Sequence, residues 1–232
     1  MSDPVPSAVD GVAPREFSFT AYGELRLHDW AARAYAAGAD RDLFIMVANQ
    51  AAALGLSAFD GRTQGLQWHP IEAGDRFRSP ERSSRPVFDC VFQSDAELPL
   101  QSAGLVLQQA VDRIGTLELE RLDVLVATNS PDPRRFVDGR EWFEFDDLSA
   151  MVPGRISVSG ATGGLVEKVA PWLGATVEFD RAVDNGWEVR LRSASLDFLA
   201  WVSGVLAWAR ADDKALVRFG FGQDPGRQAS SS

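Results

Sequence analysis

The sequence predicts an α+β protein made of two tandem ferredoxin-like (βαββαβ) lobes, the first with insertions. Two observations predict it. From residue 155 to 221 the apolar pattern changes from period two to helical period and back, in the order strand, helix, strand, strand, helix, strand. In addition, one unit is written twice. At 44–68 an apolar helical run ends at Leu54-Gly55, a short strand ends at Phe59-Asp60, and a second strand follows a polar turn. At 165–191 the same succession runs through Leu173-Gly174, Phe179-Asp180 and a turn at Asn185-Gly186. An internal duplication of this length organises a fold before any single motif is weighed.

The elements follow in order. Residues 1–15 are rich in Pro, Ser, Ala and Asp and read as a disordered lead. The first lobe covers 16–128. It opens with a strand at 16–22, where Phe17 and Phe19 alternate with small polar residues. A short helix is expected over 28–37 and a second over 42–54, stopped by Gly55. Strands at 56–59 and 66–71 come next, followed by a charged loop at 74–86 with two prolines. Residues 87–93 alternate, with Phe88, Cys90 and Phe92 on the apolar face. A helix over 100–114 leads to a strand over 117–127. The strand's apolar phase slips near Arg121-Leu122, which predicts a bulge or a break.

Residues 129–147 read as a linker with an edge strand, and 148–222 as the second lobe. Its strands are expected at 155–159, 176–180, 187–192 and 215–221, and its helices at 165–173 and 195–210. Asp184-Asn185-Gly186 supplies a hairpin turn, and Ser195 a helix cap. Residues 223–232 form a polar tail. The helix over 196–209 is apolar nearly all round, which predicts burial on both sides between the lobes. A dimer interface is the alternative use of such a surface.

Composition narrows the function classes. The 232 residues are 45% hydrophobic and 24% charged, with seven Trp and fourteen Phe, as expected of a globular protein. The net charge of −10 repels phosphate backbones and anionic lipid, so neither nucleic acid nor membrane is an expected partner. It favours encounter with a basic protein. A single cysteine, Cys90, excludes an intramolecular disulfide, and a reducing cytoplasm is the expected compartment.

The chemistry-bearing residues are sparse. His28 and His69 are the only histidines, and neither is spaced to pair locally with Cys90 or an acid. No catalytic residue, metal ligand set or cofactor is assigned, and the expectation leans away from an enzyme. The turn Ser159-Gly160-Ala161-Thr162-Gly163-Gly164 resembles the G-A-T-G-x-x-G loop of nicotinamide-dependent short-chain enzymes. That resemblance implies a pyrophosphate at a helix N-terminus. Val166, however, stands where the last glycine belongs, and about 70 residues remain after the loop, too few for the usual sheet. What is retained is an anion-binding candidate formed by Gly160, Thr162, Gly163 and Gly164. A partner-binding candidate comes from the acidic-aromatic run at 141–147: Trp142, Phe143, Glu144 and Phe145, with Arg134 and Arg135 nearby.

Residues 43–70 resemble a segment of poorly characterised bacterial proteins, a helix followed by G-L-x-x-[YF]-D-P-Q and a strand ending in Pro. Gly55-Leu56, Phe59-Asp60 and Pro70 carry the likeness, and Gly61-Arg62 replaces Pro-Gln. The resemblance implies an immunity- or accessory-like role in bacterial conflict systems and assigns no functional residue. Three functions follow as expectations. The first is a binding protein for a protein partner. The second is a small-molecule or nucleotide enzyme or sensor with its site between the lobes near the 160–164 turn. The third is a structural subunit of a homo-oligomer.

Overall fold

The computed structural model describes residues 15–39, 67–68, 76–78, 88–94, 100–127, 151–160, 163–210 and 214–222. Nine strands lie among them: β1 (Arg15–Leu27), β2 (Gln67–Trp68), β3 (Arg76–Arg78), β4 (Phe88–Ser94), β5 (Gly115–Ala127), β6 (Val152–Val158), β7 (Val177–Val183), β8 (Gly186–Leu191) and β9 (Lys214–Gly220). Four helices accompany them: α1 (Asp29–Ala36), α2 (Leu100–Asp112), α3 (Leu165–Leu173) and α4 (Leu196–Arg210). The molecule is α+β, and its strands form one sheet in the order β2-β4-β1-β5-β9-β6-β8-β7, with β3 pairing the end of β1. Every pairing is antiparallel.

The sheet is continuous across the middle of the chain because β5 pairs β9, from Arg121 opposite Gly220 to Ala127 opposite Lys214. Alternation decides its two faces. Phe17, Phe19, Ala21 and Leu25 of β1 are buried, as are Leu122, Val124 and Val126 of β5 and Ala215, Val217 and Phe219 of β9. Ser18, Thr20, Tyr22, Asp123 and Arg218 lie between them along the chain and turn to the other face. The expected slip in β5 is a bulge. Tyr22 stands opposite Arg121 and Gly23 opposite Leu119, so Glu120 is the extra residue. Gly23 is required there, since a Cβ would meet the Glu118 carbonyl oxygen at 2.1 Å.

The helix α4 accounts for its own sequence. Thirteen of its residues are buried, and it packs on α2, α3, β5 and β9. It therefore has protein on several sides, which is why almost no polar stripe is left. Within it the Ser203 hydroxyl donates to the Leu199 carbonyl at 2.7 Å. At its start the Leu196 N–H donates to Oε1 of Gln108 on α2 at 3.0 Å. At its end the Lys168 ammonium of α3 donates to the Ala209 carbonyl at 2.5 Å and lies 5.2 Å from the Trp208 ring. The Ser195 hydroxyl just before the helix accepts from the Ser193 hydroxyl at 2.9 Å. The crossing of α2 and α4 is tight at Gly104, where a Cβ would lie 2.4 Å from the Leu196 carbonyl oxygen and 2.8 Å from the Ala200 Cβ.

Two expectations change. Phe179-Asp180 does not end a strand: β7 runs on to Val183, and its register against β8 shifts between Phe179 and Arg181. Asp180 is a bulge residue, so the strand turns at Asp184-Asn185, with Asn185 at φ 62° as a tight hairpin demands. Within the expected 74–86 loop, Arg76–Arg78 forms β3. The alternating residues 87–93 supply β4, which lies directly beside β1. Of the strand expected over 66–71, Gln67–Trp68 are described and form β2, which pairs β4. The rest of the first duplicated copy, 44–66, lies outside the described residues.

Candidate functional site

Of the residues singled out from the sequence, Gly160, Gly163 and Gly164 are described. Thr162, Arg134, Arg135, Trp142, Phe143, Glu144 and Phe145 lie outside the described residues, as does His69. Gly160 and Gly164 have φ values of 85° and 68°, and Gly164 is the N-cap of α3 without a side-chain cap bond. The space beside Gly163 and Gly164 is open. Beside Gly160 it is filled: a Cβ there would fall 2.3 Å from the Arg210 guanidinium. The turn thus has a cation from the end of α4 resting on its backbone, a contact that strand-to-helix spacing alone did not foretell. The strand side is closed by two bonds between Ser159 and Leu216, the hydroxyl accepting from the Leu216 N–H at 3.0 Å.

The sheet face opposite the core carries a ladder of cross-strand ion pairs. At its centre the Arg218 guanidinium grips Asp123 through two bonds, at 2.8 and 3.1 Å. Arg121 reaches the same carboxylate at 3.4 Å, and its guanidinium carbon lies 3.5 Å from the centre of the Tyr22 ring. The hydrogen bond to Asp123 holds Arg218 above the usual arginine range, against the opposing effect of burial. Toward β7, Glu188 pairs Arg181 at 2.6 Å, with Arg155 at 4.0 Å. Arg190 is shared by Glu178 at 2.5 Å and Asp180 at 3.2 Å. The bond to Asp180, and then the charges of Asp180 and Glu178, raise Arg190 as well. The register explains these pairs: Asp123 is opposite Arg218, Arg181 opposite Glu188, and Glu178 opposite Arg190.

A third feature is a groove of about 680 Å3 where β1 turns into α1, lined by Arg26, Leu27, His28, Asp29, Trp30, Arg33, Thr116 and Glu118. On its floor Arg26 is clamped to Glu118 at 2.6 Å and to Glu24 at 3.4 Å. The His28 Nε2 donates to the Asp112 carbonyl oxygen at 2.9 Å, which fixes the proton on that nitrogen. Trp30 is 41% exposed. Sequence reading passed over this place, since Arg26, Trp30 and Thr116 form no local motif and meet only through the β1–β5 register.

Among the described residues, no group of three or more His, Cys, Asp and Glu is arranged to hold a metal ion. No described helix is long and apolar enough to cross a membrane. Cys90 stands opposite Phe19 in the β1–β4 register. No family model, no curated protein and no solved structure matches this chain.

Proposed function

We propose that the chain is a non-enzymatic binding protein of the cytoplasm that recognises a basic protein partner, in the manner of immunity or accessory proteins. The observation that carries this reading is the acidic balance of the chain, 33 Asp and Glu against 23 Lys and Arg, a net charge of −10. Residues 129–147 contain Asp132, Asp138, Glu141, Glu144, Asp146 and Asp147 together with Trp142, Phe143 and Phe145. Acidic charge steers a cationic partner, and aromatic side chains supply anchoring area.

The reading of two ferredoxin-like lobes is supported by strand order. Residues 15–127 contribute β5-β1-β4-β2 and residues 152–220 contribute β9-β6-β8-β7. With β3, which pairs the end of β1, set aside, the fourth strand of each lies beside the first, then the third, then the second. The fourth strands pair with each other.

The test is capture of partners from the native host at low and moderate salt, using the full chain and a variant carrying Glu141→Gln, Glu144→Gln, Asp146→Asn and Asp147→Asn. A basic protein retained by the first and lost by the second is expected. Recovery of nothing above background, or equal recovery by both, would overturn the reading. A second reading is favoured by one contact, that of Arg210 on Gly160. It places an anion- or nucleotide-binding site at the 160–164 turn. Thermal stabilisation by nucleotides or inorganic phosphate is its expected consequence.

A further inference from the structure

The geometry points to the groove beside α1 as a binding site for a free amino acid, a small zwitterion with an apolar side chain. Two kinds of charge line this groove, and they are in different states. Arg26 and Glu118 on the floor are paired with each other at 2.6 Å. Asp29 and Arg33 on the wall are exposed, and neither has an ion pair or hydrogen bond among the described residues. They lie four residues apart on α1, the spacing at which an acid and a base ordinarily close on each other. Here one negative and one positive group are open together in a single groove.

Between them in sequence is Trp30, 41% exposed and lining the same groove. A ligand that uses all three must offer an ammonium to Asp29, a carboxylate to Arg33 and an apolar body to the indole. A simple cation leaves Arg33 facing like charge, and a simple anion leaves Asp29 doing so. Residues one helical turn apart have Cβ atoms roughly 5–6 Å apart, a span that an α-ammonium and α-carboxylate bridge with one hydrogen bond at each end. The Thr116 hydroxyl on the floor adds a donor and an acceptor. His28 does not compete for the ligand, because its Nε2 proton is committed to the Asp112 carbonyl.

The experiment follows the Trp30 indole N–H resonance by NMR, assigned by its loss in Trp30→Phe, while L-leucine or L-phenylalanine is titrated into the full chain. A saturable shift is expected with at least one of them. The amide and the N-acetyl derivative of the same amino acid, each lacking one charge, are expected to bind at least about tenfold more weakly. Asp29→Asn and Arg33→Gln are each expected to weaken the amino acid by a similar factor. All three wall residues are exposed, so unchanged circular dichroism in the variants separates lost binding from lost folding. No saturable shift up to millimolar ligand overturns the inference. Equal binding of the amide and the N-acetyl form also overturns it, as does binding unaffected by either charge-removing variant.

Discussion

Asp123 is the residue on which the central ion pairs of the sheet's polar face converge. Its carboxylate takes two bonds from Arg218 and faces Arg121, which in turn lies over Tyr22. Its side chain is only 14% exposed, whereas that of Arg218 is 46% exposed. Solvent screening on the arginine side keeps the net worth of the pair near the upper end for exposed pairs, about 1 kcal/mol. Asp123→Asn is therefore expected to lower unfolding free energy by about that amount, as read by urea denaturation. The pH dependence follows from the sign of the shift. Arg218 is raised in the folded protein, so its contribution is complete below the ordinary arginine range and is lost only as pH rises through the folded value. The difference between wild type and variant should thus be the same at pH 7 and pH 9. A difference that shrank between those two values would show that a group other than this arginine governs the ladder.

At the scale of elements, the decisive contact is the crossing of α2 and α4. Gly104→Ala raises helix propensity by about 1 kcal/mol in isolation. In place, its Cβ meets the Leu196 carbonyl oxygen at 2.4 Å, a backbone atom that cannot swing aside. The expected net result is destabilisation by about 1–3 kcal/mol, since helices forced apart lose packing along their length. Urea midpoints measure it, and a midpoint equal to or above wild type would show that the crossing is slack. The ends of α4 make a gentler test. Lys168→Met keeps the apolar stem against Trp208 and removes the bond to the Ala209 carbonyl. It is expected to cost about 1 kcal/mol, the worth of one charged bond at a helix terminus.

These elements also mark how far the sequence could be read. The helices of the second half were legible to within a residue, because α3 and α4 have clean apolar periods, and the β7–β8 turn was marked by Asn185-Gly186. The slip in β5 was legible as a phase change, since a bulge must reverse which residues face the core. The Asp180 bulge was not, because Phe179-Asp180 followed by charged residues looks like any strand end, and Arg181 and Asp180 find partners only across β8 and its neighbours. The place of β4 in the sheet was hidden for a related reason. Local alternation identifies a strand but says nothing about which strand it pairs. The groove at Trp30 was invisible for the same cause, as its floor and wall come from β5 and α1.

For the whole molecule, the question is whether the two halves are separable. The junction between them has two layers. In the sheet, β5 and β9 share seven register positions. Beneath it, α2 rests on α4, and the buried residues of both halves belong to one continuous core. A fragment comprising 148–222 would keep β6-α3-β7-β8-α4-β9 and its internal strand order, yet lose everything that covers one edge and one helix flank. Its β9 would present a row of unpaired N–H and C=O groups, and Leu196, Ala200 and the neighbouring apolar residues of α4 would meet water. The fragment is therefore expected to fold only by association. The natural solution is a two-fold dimer in which β9 pairs β9 and α4 crosses α4, standing in for the missing half. Small Ala200 at the crossing makes this feasible, as Gly104 does in the intact chain. Light scattering of the fragment should give twice the monomer mass or larger species. The intact chain, with that edge already paired, should unfold in a single urea transition seen alike by tryptophan fluorescence and circular dichroism. A monomeric, cooperatively folded 148–222 fragment would instead mark the second half as an autonomous domain, with the shared sheet a contact between two finished units.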